Sequence, residues 1–138
     1  MIEMFAWLSV HPTYADEDTL PPEHEPQIMK QVSEILRRSG CGIKMQYRNG
    51  QPCIQTAYAA NHRSAETDAL IDTYRRIAET ATGSYGVLYL RDDADPQYHN
   101  DMQVYTFRRG AVTHGIMPEF SPCIPKLEDA VPEGVSND

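Results

Sequence analysis

Ser84-Tyr85-Gly86-Val87-Leu88-Tyr89-Leu90-Arg91 is the most apolar stretch of the chain and decides how its surroundings are read. It has the length of a strand, and its near-continuous apolar run marks a strand inside a sheet rather than at its rim. On its N-terminal side, Leu70, Tyr74, Ile77, Ala78 and Ala81 form one helical stripe. Ser64 is placed to cap that helix, Glu66 and Asp68 suit the positive end of its dipole, and Gly83 is expected to stop it. On the C-terminal side comes an acidic loop over residues 92–100 containing Pro96, then a strand over 101–109. A turn at Arg109-Gly110 leads to a shorter strand at 111–114, and from Gly115 on prolines suggest an extended tail laid over the surface.

Further upstream, Asn49-Gly50 sits between two strand-like stretches, 42–48 and 52–60, and is a strong hairpin signal. Before them, Ile28, Val32, Ile35 and Leu36 repeat at helical spacing. Pro26 is suited to open that helix, Arg37 and Arg38 to its C-terminal dipole, and Gly40 to its end. Residues 2–11 alternate as a strand, with Ile2, Met4, Ala6, Leu8 and Val10 on one face. Phe5 and Trp7 fall on the other, so both faces are expected to be covered at least in part. Residues 12–25 hold Pro12, Pro21 and Pro22, which excludes a regular ladder there. The order β-α-β-β-α-β, with an added C-terminal β-hairpin and tail, predicts an α+β fold. The expected form is a mainly antiparallel sheet with two helices on one face, ferredoxin-like. One domain is expected over 1–130, with a flexible tail at 131–138.

The chain has 138 residues, 41% hydrophobic and 23% charged, which suits one domain with a core of its own. No apolar run approaches the length of a transmembrane helix. Met1-Ile2-Glu3-Met4 lacks the basic run of a secretory leader, so a cytoplasmic location is expected. Cys41, Cys53 and Cys123 fit no zinc spacing and read as reduced thiols.

The net charge of −8 disfavours nucleic acid and favours a basic partner. Its distribution is uneven. Residues 1–25 hold six acids and no Lys or Arg, and residues 64–101 hold eight acids against three bases. Between them, residues 26–63 carry six bases and one acid.

Catalytic patterns are sparse. His62-Arg63-Ser64 lies where a strand turns into a helix, a place that can bind an anion, but capping by Ser64 alone explains these residues. Asp92-Asp93-Ala94-Asp95 with Asp101 lacks the alternation, central Gly and closing Glu of a calcium loop. There is no G-x-S-x-G, no Gly-rich phosphate loop and no cysteine in a catalytic context. His11, His24, His62, His99 and His114 are scattered. The weight moves from enzyme to binding protein.

Several segments together resemble the immunity protein 7 family of bacterial polymorphic-toxin systems. They are Ala6-Trp7 in the opening strand, Asn61-His62-Arg63-Ser64-Ala65-Glu66, the run from Gly83 through Asp93, Arg109-Gly110, and Ser121-Pro122-Cys123-Ile124-Pro125. The likeness spans about residues 2–129; relatives commonly have Gly where this chain has Ala6. It implies a cytoplasmic antidote that binds a cognate toxin domain, blocks its active site or substrate access, and needs no catalytic residue, metal or cofactor. The expected partner is a toxin C-terminal domain with a basic cleft, of nuclease or NAD-using ADP-ribosyltransferase type, in a 1:1 complex without nucleic acid or membrane. An acidic surface would steer onto such a cleft. The candidate toxin-binding residues are Asp16, Glu17 and Asp18, then Asp92, Asp93 and Asp95, with Tyr14 and Tyr98 as aromatic anchors. Arg91 is expected to be a buried partner for an acid. The alternative is a small enzyme that reverses a toxin's modification, with its site near His62 and Asp92/Asp93.

Overall fold

The computed structural model describes residues 1–16 and 19–121. Its elements are β1 (Ile2–Ser9), α1 (His24–Ser39), β2 (Gln46–Arg48), β3 (Gln51–Ala60), α2 (Ala65–Thr80), β4 (Tyr85–Asp92), β5 (Gln103–Arg108) and β6 (Ala111–Ile116). A 3₁₀ turn, Pro118–Phe120, follows. The strands form one six-stranded antiparallel sheet in the order β2-β3-β1-β4-β5-β6. The fold is α+β, and β4 is an interior strand as its apolar run requires.

Two turns fix the sheet's registers. Asn49 and Gly50 have φ of 52° and 75°, and Arg109 and Gly110 have 52° and 74°. Positive φ at both central positions is the two-residue turn whose twist matches the flanking strands. The first turn sets Arg48 opposite Gln51, and the second sets Arg108 opposite Ala111.

The core lies on one face of the sheet. Ile2, Met4, Leu8, Ile54, Leu88 and Leu90 point into it and are fully buried. Val32 and Ile35 of α1 and Leu70, Tyr74, Ile77 and Ala78 of α2 complete the same cluster. Each such aliphatic side chain gains roughly 1.5–3 kcal/mol on leaving water. Tyr74 is buried as a phenol and shares its hydroxyl with Thr56 Oγ1 at 2.7 Å, which satisfies both groups. Burial pushes the Tyr74 pKa up to about 12, against the opposing effect of the Thr56 hydrogen bond.

Several expectations need correction. The second strand covers only Gln46–Arg48, not 42–48: Gly42 has φ of 73°, and Ile43 and Met45 turn inward to pack on the core. Gly83 does not end α2 in the left-handed conformation. The cap is Ala81, and Gly83 is glycine because a Cβ there would lie 2.5 Å from the Thr13 carbonyl oxygen. The helix α1 starts two residues before Pro26, which sits in the first turn, where a missing N–H costs nothing. The second face of β1 is covered only in part, as expected: Phe5 is 53% and Trp7 43% exposed, because both helices lie across the sheet from them.

Gly115 and Ile116 complete β6 rather than beginning a tail. The predicted tail at 131–138 and Cys123 lie outside the described residues, while Cys41 and Cys53 are unpaired and half-buried. No helix among the described residues is long and apolar enough to cross a membrane.

Candidate functional site

Asp16 and the Asp92–Asp95 run emerge at opposite ends of the sheet. In the β1–β4 ladder Ile2 faces Asp92 and Ser9 faces Tyr85. At about 3.4 Å per residue, the ends of β1 stand roughly 25 Å apart. The loop after β1 closes one end. Gly83 donates its N–H to the His11 carbonyl at 3.1 Å, and the Ser84 hydroxyl accepts the His11 N–H at 3.1 Å. The His11 ring stacks on Tyr85 with centroids 5.6 Å apart. Tyr14 is exposed, and the Arg109 guanidinium lies 4.4 Å above its ring. Asp16 is exposed, and its backbone carbonyl accepts both the N–H and the hydroxyl of Thr19. Glu17 and Asp18 lie outside the described residues.

The loop between β4 and β5 closes the other end, and it uses much of its own charge. Asp92 is 5% exposed and accepts the Ala94 N–H at 3.1 Å. It shapes the turn from inside and offers little to a partner. Asp93 is half-exposed and meets the Met1 amino group at 2.5 Å, which holds its carboxyl below the usual carboxylate range. Asp95 accepts the N–H groups of Tyr98 and Gln97 at 3.0 and 2.8 Å, and these bonds likewise hold its carboxyl low. Tyr98 packs edge-on against His114, with centroids 5.0 Å apart. The structure thus groups Tyr14 with Asp16, and Asp93 with Asp95 and Tyr98, and brings neither group to the other.

The remaining candidates serve the fold. Arg91, 12% exposed, meets Glu3 at 2.8 Å, as expected of a buried partner for an acid. Ser64 and Thr67 form a capping box at the start of α2. Burial works against the charge on Arg63, but its ion pair with Asp68 at 2.9 Å outweighs that and raises its pKa. His62 is exposed on the adjoining bend. Among the described residues no group of three His, Cys, Asp or Glu could hold a metal ion.

Between the two ends lies the face of the sheet that no helix among the described residues covers, which the sequence reading missed. Phe5, Trp7 and Tyr85 are each about half-exposed there, and Phe120 meets Tyr89 edge-on at 5.7 Å. Trp7 and Tyr85 also meet edge-on, at 6.1 Å. A shallow cavity of about 480 Å³ opens beside Phe5, Trp7 and Tyr89, and one of about 290 Å³ between Phe5, Tyr89, Met102 and Phe120. Exposed aromatics clustered on one surface are the usual anchors of a protein interface. A signal for this face was present in the sequence: two helices of ordinary length can roof only one side of a six-stranded sheet.

A family model described as immunity protein 7 matches residues 1–129. The chain belongs to the immunity protein 7 family. Membership implies a cognate toxin as partner. No curated protein and no solved structure matches the chain.

Proposed function

We propose that this immunity protein neutralises its toxin by occupancy. In the cytoplasm it binds the toxin's C-terminal domain one to one and covers its active site or the route to it, without chemistry of its own. The observation that carries this reading is the open sheet face with Phe5, Trp7 and Tyr85 between two acidic ends. A toxin that engages both Asp16 with Tyr14 and Asp93, Asp95 with Tyr98 must lie across that face. The aromatics supply anchoring area, and the acids steer a basic cleft onto it. Glu17 and Asp18, next to Asp16 in the chain, belong to the same proposed docking set. Asp92 does not, being buried. We also read β1 through β4 with their helices as a ferredoxin-like split β-α-β unit, extended by β5 and β6 as a hairpin. The position of β1 between β3 and β4 supports this.

The test is a titration of this chain against the C-terminal domain of its cognate toxin, with toxin activity as readout. Occupancy predicts complete protection at one equivalent. Full protection at a small fraction of an equivalent would establish turnover and overturn the proposal. It would favour the rival reading, an enzyme near His62 and Asp93.

A further inference from the structure

The strand β3 is ten residues long, but its outer neighbour β2 pairs only with residues 51–53. The outer side of residues 54–60 therefore has no ladder partner among the described residues. The direction of its backbone groups follows from one bond. The Pro52 carbonyl accepts the Val10 N–H at 2.9 Å, so residue 52 points toward β1. Alternation then turns the N–H and C=O groups of Gln55, Ala57 and Ala59 outward. Proteins commonly guard such an edge with charge or proline. Ile54-Gln55-Thr56-Ala57-Tyr58-Ala59-Ala60 contains neither.

Cavities flank this edge on both faces of the sheet. On the open face, the cavity of about 480 Å³ reaches Gln55 and Ala57 from Phe5, Trp7 and Tyr89. A second cavity, of about 230 Å³, separates residues 55–58 from Cys41, Gly42 and Ile43 and reaches Leu70 and Glu66 of α2. The Glu66 side chain is exposed and makes no ion pair among the described residues. An added strand sends alternate side chains to opposite faces, so one enters each cavity.

We infer that the outer edge of β3 at residues 55–59 receives an extended segment of the toxin as an additional strand of the sheet. Its side chain toward Phe5, Trp7 and Tyr89 is apolar, and the next, toward Glu66, is cationic. The exposed Glu66 carboxylate at this cavity is the charge that fits a cationic side chain. This inference rests on the proposed neutralisation by occupancy and names where and how the contact is made.

The decisive variant is Ala57→Pro. Residue 57 points away from β1, so proline removes the outward donor without breaking a ladder bond within the sheet. The probe is the cognate toxin's C-terminal domain in a catalytically inactive form. Melting and circular dichroism check that the variant folds. The expected result is at least a 30-fold loss of affinity for Ala57→Pro and near wild-type binding for Ala57→Ser, which keeps the donor. Hydrogen exchange at Gln55, Ala57 and Ala59 should slow in the wild-type complex, a readout that does not depend on the proline variant folding. One-to-one toxin binding with these amides unprotected would overturn the edge inference and leave occupancy standing. Absence of any toxin binding would overturn both. Protection that grows with the concentration of this chain alone would assign the edge to a second copy and overturn the inference.

Discussion

The two faces of β1 differ by one residue in the chain and by everything in their surroundings. Ile2, Met4 and Leu8 are fully buried under the helices, while Phe5 and Trp7, no less apolar, remain about half in water. Residue hydrophobicity does not separate the two sets; the roof does. One face stores stability, and the other is roofed by no helix among the described residues.

The largest effect should come from the roofed face. Leu88→Ala deletes a fully buried side chain and is expected to cost about 2–5 kcal/mol, measured by denaturant unfolding. The matched change on the open face, Phe5→Ala with Trp7→Ala, should move stability far less. It should instead weaken toxin binding by about 2 kcal/mol or more, roughly 30-fold. A double variant that unfolds the protein while leaving affinity per folded molecule unchanged would erase the distinction between the faces.

Much of this comparison was legible in the sequence. The alternation in β1, the stripe of α2 and the Asn49-Gly50 and Arg109-Gly110 turns all act through neighbours in the chain, so a pattern reveals them. Gly83 was assigned the wrong role because its constraint is Thr13, seventy residues away. Gly86 shows the same blindness: a Cβ there would lie 2.1 Å from the Trp7 carbonyl oxygen, and nothing nearby in the chain announces it. Among the site residues, the acidic runs were visible but their burial was not. Asp92 and Asp93 are adjacent and chemically identical. The end of a strand turns one inward and leaves the other facing out. Whether the runs converged depended on strand register, which set them at opposite ends.

Smaller effects sharpen the picture. Tyr74→Phe removes the hydroxyl shared with Thr56 at the core margin and should cost about 1 kcal/mol in unfolding experiments. Because the folded pKa of Tyr74 is raised to about 12 from 10.0, its contribution is present below pH 10 and fades as pH rises toward about 12. The phenylalanine variant should lose that alkaline dependence. The smallest effect belongs to the solvent-facing side of α1. Arg37 and Arg38 hold the Glu34 carboxyl down to about 2 from 4.5. That contribution is present above pH 4.5 and disappears as pH falls through about 2. Glu34→Gln should flatten the acid limb of a pH–stability curve only slightly, because the pair is exposed and screened by salt.

Trp7 is the single tryptophan of the chain and stands on the open face. Fluorotryptophan incorporated into this chain alone therefore gives one ¹⁹F resonance that reports on that face. Titration with the inactive toxin domain should move the resonance, remove its sensitivity to H₂O/D₂O exchange, and saturate at one equivalent. A resonance that stays in place and in solvent while the toxin is bound and neutralised would contradict docking through the open face.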